Sequence, residues 1–190
     1  EWRKDRFKKS TVDFDNGAYL QNYISSNGVG YSYYASPSTL RANDNGAQHS
    51  PILGFAYDGN PIYGAFGYEN PLDATTDITR MTSSYSLNAA RAEGPSINEY
   101  PLGTFNNDYT YTHKSGTLDE NNGRFCVTPE FPEGTYAYFI TIDSNQVPQY
   151  PYIIGENYYS LPVDSNYNSN INQDDIPKNS KKYYVPGMQG

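Results

Sequence analysis

The sequence predicts an all-β domain, an antiparallel β-sandwich or barrel-like fold with long irregular loops and at most short helices. Three observations lead there. Short apolar and aromatic runs recur between turn dipeptides at about the 8–12-residue spacing of such folds. Aromatic residues make up 16% of the 190-residue chain, 21 of them Tyr, and aromatic side chains favour strands. Sixteen Gly and 13 Pro interrupt the chain, which leaves residues 1–10 and the segment NAARAE (88–93) as the stretches a helix could occupy.

The elements follow in order. TVDFDNGAYLQNYI reads as strand, turn at Asp15-Asn16-Gly17, and strand. In GVGYSYYA, strand alternation puts Tyr31 and Tyr33 on one face and Ser32 and Tyr34 on the other. SPSTLRANDNGAQ is a loop closing on the turn dipeptide Asn45-Gly46. In HSPILGFAYDGNPIYGAFGY, a strand through LGFAY, a turn at Asp58-Gly59 and a strand from Pro61 make a hairpin. Ile52, Leu53, Phe55, Tyr57, Ile62 and Tyr63 are its expected contribution to the core. SSYSL, DYTYT, RFCV, TYAYFITI and YPYII are further strands, with TPEFPEG a Pro-punctuated turn and NAARAE one or two helical turns stopped by Gly94-Pro95. The domain division is 1–10 linker, 11–160 β domain and 161–190 Asn-rich tail or linker.

Charge narrows the function. Charged residues are 18% of the chain and the net charge is −8. The basic clusters, Arg3 to Lys9 and Lys178 to Lys182, sit near the ends and form no stripe for nucleic acid. No apolar run reaches membrane-spanning length. The lone Cys126 excludes an internal disulfide and a multi-cysteine zinc site. The opening EWRKDRFKKS, with neither Met nor a signal-peptide pattern, is expected of a piece of a longer polypeptide.

HSPILGFAYDGNPIYGAFGY, LDENNGRFCVTPEFPEGTYAYF and YPYIIG, in that order, resemble the YHYH domain family over residues 28–155. The resemblance implies a secreted protein or a large virion protein of a tailed phage. The ASPSTLRANDNGAQ loop and the Tyr-, Asn- and Ser-rich flanks are more similar to the phage members. The Tyr-His-Tyr-His pattern falls at Tyr31-Ser32-Tyr33-Tyr34 and at Tyr136-Ala137-Tyr138-Phe139, and both copies lack every His.

A His-x-His strand would put two imidazoles on one face, as zinc or copper requires. The oxygen and nitrogen donors left here are His49, His113, Asp58, Asp119 and Glu120, of which His49, Asp58 and Asp119 are the metal candidates. The simpler readings are a His49 bond to nearby backbone, an Asp58 that closes a turn, and an Asp119 in a turn or paired with Arg124. DSNYNSNINQDD places Asp164, Asn166, Asn168, Asn170 and Asp175 at the spacing of a calcium loop, without the turn Gly or flanking helices; the alternative is a solvated linker. Cys126 between Phe125 and Val127 reads as a buried thiol. No nucleophile or phosphate-loop motif is present. The expected function is therefore a non-enzymatic structural or host-attachment module of a tailed-phage virion protein. Its partners would be other virion proteins, copies of itself or host surface glycans, with no cofactor other than calcium. The alternative is a secreted metal- or carbohydrate-binding domain, the latter needing an exposed Tyr platform.

Overall fold

The computed structural model describes residues 2–5, 14–25 and 28–162. The fold is all-β. A four-stranded sheet holds β3 (Ile52–Phe55), β4 (Pro61–Tyr63), β9 (Gly123–Cys126) and β10 (Thr135–Phe139) in the spatial order β3-β4-β10-β9. Three antiparallel ribbons surround it: β1 (Gly17–Ser25) with β2 (Gly28–Tyr33), β5 (Phe66–Tyr68) with β6 (Ile78–Arg80), and β7 (Tyr85–Leu87) with β8 (Tyr109–Tyr111). A single 3-10 turn, Asn106–Asp108, is the only helical element among the described residues. No barrel closes, because β3 and β9 remain as edges of the sheet. The sheet is also not wholly antiparallel. β10 runs parallel to β4, with Tyr138 opposite Ile62 and Phe139 opposite Tyr63. A parallel neighbour requires a long crossover, and the crossover here carries β5 to β9.

The β3–β4 hairpin forms as its turn chemistry dictates. Ala56 N–H donates to the Asn60 carbonyl at 2.9 Å, and Gly59 N–H to the Ala56 carbonyl at 2.9 Å. Gly59 has φ +84°, a conformation glycine adopts without a steric cost. β10 is the strand buried on both sides. Ala137 and Phe139 face a cluster with Tyr63, Met81, Leu118 and Cys126. Tyr136 and Tyr138 face another, with Ala56, Ile62 and Ile154. Two-residue alternation thus turns TYAYF into the layer between two cores.

Four expectations change. NAARAE is irregular, not helical. The Arg91 guanidinium reaches Asp108 (2.7 and 2.6 Å) and the carbonyls of Pro95 (2.7 Å) and Tyr100 (2.9 Å), and that buried charge network outweighs a modest helix propensity. YPYII turns instead of extending: Tyr152 N–H donates to the Gln149 carbonyl at 2.7 Å, and Tyr152 has φ +74°. Phe55 and Tyr57 lie outside the core, 61% and 55% exposed, because β3 is an edge strand and Tyr57 belongs to the turn. Residues 2–5, assigned to a linker, are extended and bound to the domain: Asp5 N–H donates to Thr104 and Asn106 N–H to Arg3, each at 2.9 Å.

The inside-outside division of the aromatics predicts opposite costs. Phe139→Ala should lower unfolding free energy by about 3–5 kcal/mol, whereas Phe55→Ala should change it by no more than about 0.5 kcal/mol. Urea unfolding of the two variants checks this.

Candidate functional site

The site is assembled from the second face of β10. Tyr138 Oη donates to Asp58 Oδ2 at 2.7 Å, and Tyr136 Oη lies 2.8 and 2.9 Å from the two oxygens of Asp119. Asp119 also accepts backbone N–H bonds from Asn121 (2.9 Å) and Gly123 (3.1 Å). Gly123 is required here, since a Cβ would run into the Tyr136 ring. Asp58 caps its own turn through Asn60, and its Oδ2 accepts the Ser160 N–H at 3.1 Å. The Tyr159 N–H donates to Tyr138 Oη at 2.7 Å, and the Tyr159 ring stacks on Tyr136 with centroids 3.7 Å apart. Residues 158–160 are thereby fastened across β10 and onto the β3–β4 turn.

This fastening places two exposed rings together. Tyr57, from the turn, meets Tyr158 edge-on at 6.4 Å between centroids. With Phe55 they form one wall of an open cleft of about 690 Å³. Tyr33 and Tyr34 at the end of β2, the turn at Tyr150–Ile154, Glu156 and Arg3 to Asp5 also line it. Tyr150 and Tyr152 on the floor belong to a separate buried cluster with Ala35, and Tyr152 Oη donates to Asp5 at 2.6 Å.

Electrostatics rigidify the anchor. Burial pushes the Asp58 carboxyl up, but hydrogen bonds from Tyr138, Asn60 and the Ser160 backbone outweigh burial and hold it below the ordinary carboxylate range. Burial first, and the adjacent carboxylates next, push the Tyr136 and Tyr138 phenols well above their ordinary range.

His49 lies elsewhere, at a second cleft of about 630 Å³ beside Asp44, Tyr68 and Glu130. Its Nδ1–H donates to the Ser50 carbonyl at 2.9 Å, as the simpler reading of this residue expected. The ring packs between Tyr63 and Tyr68, with centroids at 4.9 and 5.0 Å, and Nε2 is buried without a hydrogen-bond partner. Burial pushes its pKa down, so the ring is neutral at pH 7. Asp58 does close its turn, and Asp119 sits in one too, but Arg124 is not its partner. Arg124 donates instead to the Tyr68 carbonyl at 2.6 Å and lies over the Phe139 ring. Among the described residues no group of three or more His, Cys, Asp or Glu is placed to hold a metal ion, so His49, Asp58 and Asp119 do not form one. Ala137 and Phe139, where the resemblance puts the histidines, face the apolar core. Cys126 is buried, and burial raises its thiol pKa. The calcium-loop residues Asp164 to Asp175 lie outside the described residues.

Sequence reasoning singled out Asp58 and Asp119 as metal candidates, did not foresee their phenol partners, and missed the cleft. A signal was available: a Tyr inside an Asp-Gly turn and the pair Tyr158-Tyr159 in a polar stretch are poorly placed for burial.

The fold and site define a tyrosine-rich, all-β domain with an aromatic-lined cleft among its described residues. A family model described as YHYH protein matches residues 1–152, and the chain belongs to the YHYH family. The match takes in the amino-terminal residues that dock on the domain. No curated protein matches, and no solved structure matches.

The phenol–carboxylate pairs predict loss of stability at both ends of the pH scale. Asp58 has a lowered pKa in the fold, so its contribution is present above the unfolded value of about 3.9 and is lost as pH falls through the folded value. Tyr136 and Tyr138 have raised values, so theirs is present below about pH 10 and is lost as pH rises beyond it. Unfolding midpoints across pH, with phenolate absorbance followed at the alkaline end, check both limbs. Asp58→Ala should cost about 1–3 kcal/mol, because the buried Tyr138 hydroxyl loses its acceptor; denaturant unfolding reads the loss.

Proposed function

We propose that this chain is a non-enzymatic attachment module of a tailed-phage virion protein, and that it attaches by holding a surface glycan in the aromatic cleft. One observation carries the reading: Phe55, Tyr57 and Tyr158 stay exposed along one cleft wall while Asp58 and Tyr138 clamp the backbone beneath them. Exposed large aromatics gathered in a concavity mark a binding surface. Aromatic faces pack against the C–H faces of sugar rings, and phenol and amide groups at the rim supply adaptable hydrogen bonds. Because the clamp sets the rings before a ligand arrives, little ordering cost falls on binding. The virion setting is supported by the similarity of the 35–48 loop and polar flanks to phage members of the family. The metal-binding alternative has no three-residue donor group among the described residues.

The test is a glycan array probed with the purified chain, followed by titration of the strongest ligands. Tyr57→Ala and Tyr158→Ala should each weaken binding by about tenfold or more with unchanged urea midpoints. A blank array, or variants that bind as the parent does, would sink the reading.

A further inference from the structure

We infer that the cleft selects a carboxylate-bearing saccharide, and that Arg3 is the residue that reads the charge. This inference rests on the glycan reading of the same cleft and adds its ligand class. Residues 2–5 run extended, with Lys4 paired opposite Phe105 and the backbone bonded to Thr104 and Asn106. Alternation along such a segment sends Trp2 and Lys4 one way and Arg3 and Asp5 the other. The contacts agree: Trp2 packs edge-on against Phe105 at 5.6 Å, and Lys4 Nζ sits 4.5 Å above the Tyr100 ring.

Arg3 and Asp5 therefore share one side of this segment, Lys4 also lines the cleft, and the situations of Arg3 and Asp5 differ. Asp5 is buried and its carboxylate accepts the Tyr152 hydroxyl at 2.6 Å. The Arg3 side chain is exposed and makes no hydrogen bond or ion pair with a described residue. A guanidinium on a backbone held in place, beside aromatic walls and with its neighbouring carboxylate already engaged, is set to take a bidentate bond from an incoming carboxylate. The other acid on the cleft is Glu156; burial first, and the Glu156 charge next, raise the Tyr85 and Tyr150 phenols. The cleft lining thus carries cations at Arg3 and Lys4 and an anion at Glu156, and the Arg3 guanidinium is the cation able to take a carboxylate bidentately. In a chain of net charge −8, an acidic glycan is repelled by most of the surface, so a local cation decides where it can dock.

Calorimetry on matched pairs tests this: trigalacturonate against its methyl ester, and sialyllactose against lactose. The acidic member of at least one pair should bind about tenfold tighter at low salt, and the preference should shrink as salt screens it. Arg3→Gln should abolish the preference without altering affinity for the neutral member, and Arg3→Lys should restore part of it. Equal binding within every pair, or a preference that survives in Arg3→Gln, overturns the inference and leaves the cleft reading intact. No binding in any pair together with a blank array overturns the cleft reading and the inference with it.

Discussion

The arrangement of this domain depends on carboxylates held by tyrosine hydroxyls. Tyr63 reaches Glu130, Tyr136 reaches Asp119, Tyr138 reaches Asp58 and Tyr152 reaches Asp5, at 2.6 to 2.9 Å. A carboxylate taken from water without a partner is costly, and a charge-assisted O–H bond is among the strongest available replacements. Lysine or arginine could serve, but each needs its own charge satisfied. A phenol brings the donor on an apolar ring that fills the core at the same time. With charged residues at 18% and Tyr at 21, this chain draws heavily on that solution. Three of the four pairs join segments at least 67 residues apart.

β10 is where the constraint shapes the cleft. Its phenol face locks the β3–β4 turn and residues 158–160 to one another, and its apolar face closes the core against Tyr63 and Cys126. The same bonds that stabilise the fold hold Tyr57 and Tyr158 at the cleft. Under the proposed glycan reading, an Asp58 substitution would therefore weaken recognition without touching a ligand, as expected of a positioning residue. The docked amino-terminal residues join the cleft lining through Asp5 and its bond to Tyr152, so the cleft draws on residues 147 positions apart.

Much of the fold was legible because its signals are local. The Asp58-Gly59 turn between two apolar runs specifies a hairpin, and the alternation in SSYSL, DYTYT and TYAYF specifies strands; all formed as expected. The failures had causes that side-chain alternation does not carry. NAARAE is kept out of a helix by the Arg91 bonds to Asp108, 17 residues on, and YPYII is bent by backbone bonds to Gln149 and Pro151. Phe55 and Tyr57 were placed in the core because alternation says which residues share a face but not whether that face is covered. Asp58 and Asp119 entered the sequence analysis as metal candidates. Their partners proved to be phenols, because Tyr136 and Tyr138 stand on the strand face that meets them.

Local chemistry in the chain settled the all-β class, most strand positions, the hairpin turn and the absence of a basic stripe at neutral pH. Those properties follow from backbone preference and side-chain period, which act within a few residues. Only tertiary packing decided the parallel pairing of β4 with β10, the edge position of β3, and the pairing of Tyr138 with Asp58. These turn on which surfaces meet across separations of 60 residues and more. The cleft belongs with them, since it exists only where three such surfaces leave their aromatic rings uncovered.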